Sequence, residues 1–193
     1  MSAAPFILAF GDSLTAGYGL ARDQAFAAQL ERVLQVERPG ARVHNAGVSG
    51  DTTAAGLARL PGVLTGLRKK PDLAIVGLGS NDLLRGFDPS ETRANLDAIV
   101  GAIGDCGVPV LIAGMIAPLF LGFWASRFNA VFGEVAAKHG AALYPFFLDG
   151  VFGDPTMVLA DGMHPNARAI GIVAQRIAPT VLAALETGAS RAA

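Results

Sequence analysis

The chain has 193 residues, of which 52% are hydrophobic and only 16% are charged, and its formal net charge is -1. This length suits one domain with a sizeable core, so we expect a single domain over residues 1–193 whose tail, residues 187–193, frays. The scattered Lys and Arg residues argue against nucleic acid or an anionic membrane as partner, and a lone cysteine, Cys106, excludes an intrachain disulfide and a thiolate metal cluster.

Short apolar segments alternate with helical patterns along the chain, and turn residues bound both. The predicted strands are Pro5–Ala9, Ala41–Asn45, Asp72–Leu78, Val108–Gly114 and Ala141–Tyr144. The predicted helices are Asp23–Val36, Thr52–Leu60, Val63–Leu67, Asp88–Asp105, Phe123–His139 and Asn166–Glu186, with a break at Pro61-Gly62. This alternation predicts a parallel sheet between helical layers, connected by right-handed crossovers.

Polar residues and glycines follow the predicted strands at the points where each strand ends. Ser13 follows the first strand, Gly47 the second, Asn81 the third, and His164 the last. The carboxyl ends of parallel strands share one edge of the sheet, and ligands bind at that edge in open α/β sheets. We therefore expect these four residues to converge, with the loop after Ser13 kept free of helix by its glycines.

Four stretches carry a resemblance to a known family. They are Gly11-Asp12-Ser13-Leu14, Asn45–Thr52, Gly79–Asp82 and Asp161–Pro165. In this order they resemble the GDSL, or SGNH, hydrolase family, and in particular the bacterial arylesterase, thioesterase I and lysophospholipase L1 group, from Phe6 to about Leu185. The resemblance implies a flavodoxin-like, three-layer α/β/α sandwich with five parallel strands in the order 2-1-3-4-5. Ser80 departs from the group, which commonly has Ala before the Asn.

A catalytic serine needs an adjacent base, because its hydroxyl is a weak nucleophile at neutral pH. Of the three histidines, His164 is the best placed, since Pro165 biases it away from helical geometry. Asp161 precedes His164 by three residues, a spacing that lets its carboxylate reach the far imidazole nitrogen. The alternatives are that Ser13 and Asp161 only shape turns and that His164 caps the last helix or lies exposed in a loop.

The resemblance also assigns three donors to an oxyanion hole: the Ser13 backbone N–H, the Gly47 backbone N–H and the Asn81 side-chain amide. Glycine permits close backbone approach, and an amide donor does not titrate near neutrality. The alternatives are a simple turn glycine at Gly47 and a turn between Asn81 and Asp82. Asp12 and Asp82 are expected to shape loops rather than act as catalytic acids.

An unusually apolar segment, residues 115–124, follows the fourth strand at the same edge of the sheet as Ser13. Either its side chains pack the start of the next helix, or they form one wall of an acyl or aryl pocket opposite the loop after Asn81. The predicted pocket residues are Leu83, Leu84, Phe87, Leu119, Phe120, Phe123 and Trp124.

The expected function is a cofactor-free serine esterase that hydrolyses aryl and short-to-medium acyl esters through an acyl-enzyme. Acyl thioesters and lysophospholipids are further candidate substrates. A carbohydrate O-deacetylase and a non-catalytic acyl-ligand binder are the alternatives. No nucleotide or metal motif is present, and no integral membrane segment or obligate protein partner is expected. The chain as written predicts a cytoplasmic location, or a periplasmic or secreted one if a signal peptide has been removed.

Overall fold

A computed structural model describes residues 4–192 of the chain, with side chains described to residue 188. Five strands form one sheet in the order β2-β1-β3-β4-β5, and every neighbouring pair is parallel. They are β1 (Phe6–Gly11), β2 (Arg42–Gly47), β3 (Leu73–Gly77), β4 (Val110–Ala113) and β5 (Ala142–Tyr144). The predicted sheet and its strand order are confirmed.

Seven α-helices and three short 3-10 helices lie in the described residues. The α-helices are α1 (Ser13–Ala16), α2 (Phe26–Glu37), α3 (Thr53–Gly66), α4 (Ser80–Leu84), α5 (Pro89–Asp105), α6 (Gly122–His139) and α7 (Ala167–Ala192). The 3-10 helices are Arg22–Gln24, Leu119–Leu121 and Pro155–Met157. Helix α2 packs against α7, whereas α5 packs against both α3 and α6, so two groups of helices enclose the sheet.

Several helix boundaries differ from those predicted. Helix α3 continues through Pro61, because its buried face packs against α5 and the side chain of Leu60 lies in the core. Asp23 lies in the 3-10 turn and does not cap α2, which begins at Phe26. The tail over residues 187–193 was expected to fray; the backbone of residues 187–192 continues α7 as helix, and residue 193 lies outside the described residues.

Helix α7 is a core helix with an apolar sequence. Its segment Ala167–Gly188 is long and apolar enough, by length and composition alone, to cross a membrane, which was not expected from the sequence. The side chains of Val173, Ile177 and Val181 are fully buried in the hydrophobic core beside the sheet. Burial of this face accounts for the apolar composition.

Asp82 joins three helices beneath the carboxyl edge of the sheet. Its buried carboxylate, on α4, accepts hydrogen bonds from the backbone N–H of Thr53 at 2.9 Å and from the hydroxyls of Thr53 and Thr92. These partners lie on α3 and α5, so Asp82 is a loop-shaping residue as predicted. Asn81 does not form the alternative turn, since no backbone N–H among the described residues donates to its side-chain oxygen, and its amide donates to Asp51.

We expect Asp82→Ala to lower the free energy of unfolding by about 3 kcal/mol, because buried donors left without an acceptor cost about 1–3 kcal/mol each. Urea denaturation measures this change. Asp105→Ala is the matched control, since Asp105 is exposed on α5 and its side chain makes no hydrogen bond among the described residues. Similar midpoints for the two variants would contradict the bracing role of Asp82.

Candidate active site

Ser13 is the first residue of α1, directly after β1. Asp12 caps this helix, with its carboxylate accepting the Leu14 N–H at 3.0 Å, and Gly17 ends the helix with a φ of 85°. The loop after β1 therefore contains a helical turn that was not expected. The Ser13 side chain is buried, and its backbone N–H has no hydrogen-bond partner among the described residues.

Ser13, His164 and Asp161 are connected by hydrogen bonds in series. The Ser13 Oγ lies 3.1 Å from His164 Nε2, and His164 Nδ1 lies 2.7 Å from Asp161 Oδ2. Asp161 Oδ1 accepts the backbone N–H groups of Met163 and His164, and these bonds, together with the imidazole, lower the pKa of Asp161 to about 2. The ionised carboxylate favours the proton on Nδ1, which leaves Nε2 free to accept the serine hydroxyl.

Tyr18 covers the imidazole and was not predicted as a site residue. The centroids of the Tyr18 and His164 rings are 4.4 Å apart, with an interplanar angle of 34°. Tyr18 itself is half exposed. It follows the Gly17 cap, but no sequence spacing indicates that residue 18 meets residue 164.

Asn81 contacts the loop after β2, as the predicted convergence of the strand ends requires. Its side-chain amide donates to the backbone carbonyl of Asp51 at 2.9 Å. An amide carries two hydrogens, so this bond leaves one donor for another acceptor.

The expectation that the Gly47 N–H faces a substrate is corrected by its local contacts. Gly47 lies within β2, and its N–H donates to the Asn45 side-chain oxygen at 2.9 Å. A Cβ at this position would lie 2.3 Å from the backbone nitrogen of Ala16, so the glycine lets α1 pack on β2. Gly50, by contrast, is exposed with a φ of 87°, and its N–H has no partner among the described residues.

Arg59 clamps the loop after β2 to the end of β1, and it too was not predicted from the sequence. Its Nε lies 2.5 Å from Asp51 Oδ2, and a terminal nitrogen donates to the Gly11 carbonyl at 3.0 Å. The guanidinium carbon sits 4.2 Å from the centroid of the Phe10 ring. The position of Asp51, and of Asn81 bonded to it, is thereby fixed relative to the strand that leads into Ser13.

The predicted pocket residues differ in how much of each side chain is exposed to solvent. Leu119 (80%), Phe120 (86%) and Phe123 (79%) project into solvent, as does Leu84 at 62%. Trp124 instead stacks on Phe128, with the ring centroids 5.3 Å apart and an interplanar angle of 13°. Leu83 and Phe87 are half-buried. Packing of the next helix therefore accounts for Trp124 but not for the three most exposed side chains.

The other two histidines lie away from Ser13. His44 is exposed on β2, with its ring centroid 6.3 Å from that of Phe6, and His139 ends α6 with its Nε2 2.6 Å from Asp97. His139 also lines a cleft of about 950 Å³ at the opposite, amino edge of the sheet. None of the predicted site residues lines that cleft. Within residues 4–188, no three His, Cys, Asp or Glu side chains are grouped so that they could hold a metal ion.

Residues 9–169 match the GDSL-like Lipase/Acylhydrolase family. The chain belongs to this family. It is 40% identical over 181 residues to "Esterase TesA" of Pseudomonas aeruginosa, covering 93% of this chain and 89% of that protein. It is 35% identical over 173 residues to an "Arylesterase" of Vibrio mimicus, covering 89% and 86%. Among solved structures, AlinE4, titled "a SGNH-hydrolase family esterase", is similar with a TM-score of 0.80 and 45% identity, covering 96% of this chain and 98% of that one.

Proposed function

We propose that this GDSL-like hydrolase cleaves carboxylic esters with Ser13 as nucleophile, His164 as general base and Asp161 as the residue that orients the imidazole. The observation that carries this assignment is the hydrogen-bonded series from the Asp161 carboxylate through His164 to the Ser13 hydroxyl. Family membership and the names of the relatives support the same reaction class. A non-catalytic binder does not need such a series.

The reaction proceeds in two acyl transfers. Ser13 Oγ attacks the ester carbonyl while His164 Nε2 takes the hydroxyl proton, and the imidazolium then gives that proton to the departing alkoxide or phenoxide. Water next attacks the acyl-serine with His164 again as base, which releases the carboxylic acid and restores Ser13. Asp161 stays ionised throughout and stabilises the imidazolium, in keeping with its lowered pKa.

The oxyanion in each step needs donors that are not already occupied. The Ser13 backbone N–H and the second hydrogen of the Asn81 amide meet this condition. We assign the third donor to the Gly50 N–H rather than to Gly47, because the Gly47 N–H is bonded to Asn45 whereas that of Gly50 is unpaired among the described residues. Gly50 directly precedes Asp51, and the Asn81 amide donates to the Asp51 carbonyl. These two proposed donors therefore lie beside the same loop.

The substrates we propose are aryl and short-to-medium acyl esters. The exposed side chains of Leu119, Phe120 and Phe123 provide apolar surface that such groups can cover. A panel of nitrophenyl esters and acyl thioesters of graded length distinguishes esters from thioesters. Labelling of Ser13 by an organophosphonate distinguishes an enzyme from a binding protein.

We expect Ser13→Ala and His164→Ala each to lower ester turnover by at least about 10³-fold, and Asp161→Asn by somewhat less, because the three groups act as a unit. The double variant Ser13→Ala/His164→Ala should be hardly worse than either single one. Turnover of nitrophenyl acetate, with folding checked by circular dichroism, measures this. His139→Ala is the control and should keep full activity. Losses that multiply in the double variant would be evidence against a shared mechanism.

We expect Asn81→Ala to lower kcat by about 10²–10³-fold while KM changes little, because the amide binds the oxyanion better than the ground-state carbonyl. Steady-state kinetics on one ester separate the two constants. Asn95→Ala serves as control, since the Asn95 side chain bonds only Thr53 among the described residues. A change confined to KM would mean that Asn81 only contacts the substrate.

We expect Phe120→Ala to flatten the dependence of kcat/KM on acyl chain length without disabling acetate hydrolysis, because each methylene buried against the ring is worth at most about 0.8 kcal/mol. The measurement is kcat/KM across the graded nitrophenyl esters. Val36→Ala, which truncates an equally exposed side chain on α2, is the control. An unchanged profile in Phe120→Ala would exclude a substrate role for this side chain.

A further inference from the structure

The Asp12 carboxyl lies buried between the first turns of α1 and α4, and only 1% of the residue is exposed. One of its oxygens accepts the Leu14 N–H at 3.0 Å, and the other accepts the hydroxyl of Ser80. No Lys or Arg pairs with Asp12 within the part of the chain that the structure describes. A buried carboxylate without a cation depends on such donors for its stability.

The two bonded residues are the immediate neighbours of the proposed catalytic groups. Asp12 precedes Ser13, and Ser80 precedes Asn81. Both residues lie in the first turns of their helices, Asp12 as the cap of α1 and Ser80 as the first residue of α4. The bond between their side chains therefore joins the chain segment that bears the nucleophile to the one that bears the amide donor.

The charge of Asp12 is sensitive to this bond. Burial raises the pKa of Asp12 to about 6, whereas the Ser80 hydroxyl and the Leu14 N–H oppose that rise. Two other titratable groups face Asp12. The Asp51 carboxylate raises the pKa of Asp12 further, whereas His164 lowers it. Arg59 forms its ion pair with Asp51. Removal of the hydroxyl removes a donor to the ionised form, so Asp12 would remain protonated to a higher pH.

We propose that Ser80 is a positioning residue, whose hydroxyl holds the Asp12 carboxylate so that Ser13 and the Asn81 amide keep a fixed separation. This inference rests on the proposed function of those two residues. Small displacements between a nucleophile and its oxyanion donors reduce the rate of the chemical step more than they reduce substrate binding.

The test is Ser80→Ala, with steady-state kinetics on a nitrophenyl ester between pH 5 and 8. We expect kcat to fall about tenfold at pH 8 with KM within about twofold, since a misplaced group affects the transition state first. We also expect the acidic limb of the kcat profile to move to higher pH, because Asp12 caps the helix that bears Ser13 in its ionised form and loses that charge at a higher pH without the hydroxyl. Ser90→Ala is the matched control, because it removes a serine-to-aspartate hydrogen bond, to Asp88, at the exposed start of α5. It should change neither constant nor the profile.

A double-mutant cycle identifies Asp12 as the partner. In an Asp12→Asn background, where position 12 does not titrate, Ser80→Ala should no longer shift the acidic limb and should cost less in kcat. A shift that persists in that background would overturn the proposal, as would an unchanged kcat and profile in Ser80→Ala alone. If Asp12→Asn does not fold, the single variant and its control decide.

Labelling of Ser13 and the kinetics of the variants distinguish a failure of this inference from a failure of the proposed function. Organophosphonate labelling reports on Ser13 alone. If Ser13→Ala retained ester turnover, the proposed function would fail. If Ser13 is labelled and required but Ser80→Ala behaves as the parent, only the positioning role of Ser80 is wrong.

Discussion

Five parallel strands end at one edge of the sheet, and this constraint decides how the site is built. Apart from Gly47, which ends β2, the predicted site residues lie in loops, short helical segments or a helix start that follow a strand, so the core alone does not fix the distances between them. Buried and half-buried polar side chains fix these distances instead. Asp82 joins α4 to α3 and α5, Arg59 fixes Asp51 to the end of β1, and Asp12 connects α1 with Ser80. Because buried polar groups are costly when unpaired, each of these bonds resists rearrangement of the edge.

Two carboxylates near His164 lie in opposite environments. Asp161 is partly exposed and accepts two backbone N–H groups as well as the imidazole, which lowers its pKa to about 2. Asp12 is buried without a cation, and burial raises its pKa to about 6. Asp161 therefore keeps its charge well into the acidic range and can orient the imidazole there. The charge of Asp12 depends on two donors, so loss of either one favours its protonated form.

The family resemblance implied the order of the strands in the sheet. Local sequence pattern predicted the strands themselves and the order of the four motifs along the chain. It failed where distant segments decide. Helix α3 runs through Pro61 because of its packing on α5, which no local rule reveals. One local contact was also missed, since the Gly47 N–H donates to the Asn45 side chain two residues away, whereas the Gly50 N–H has no partner among the described residues. Arg59 and Tyr18 reach the site through contacts over long sequence separations, and such contacts leave no periodicity or spacing to read.

The apolar side chains after β4 are exposed for a geometric reason. A helix start can bury one stripe only, and at the beginning of α6 that stripe is taken by Trp124, whose ring stacks on Phe128 one turn later. Phe120 and Phe123 are left on the outer side. Water-exposed aromatic surface is unfavourable by about 25 cal/mol per Å², and a cluster of it marks a surface that binds something apolar. In the proposed function, an acyl or aryl group of the substrate covers these side chains, and because that group takes no part in the bond changes, its burial stabilises the ground state and the transition state equally. The cluster should therefore set which esters bind, whereas the polar groups of the edge set how fast they react.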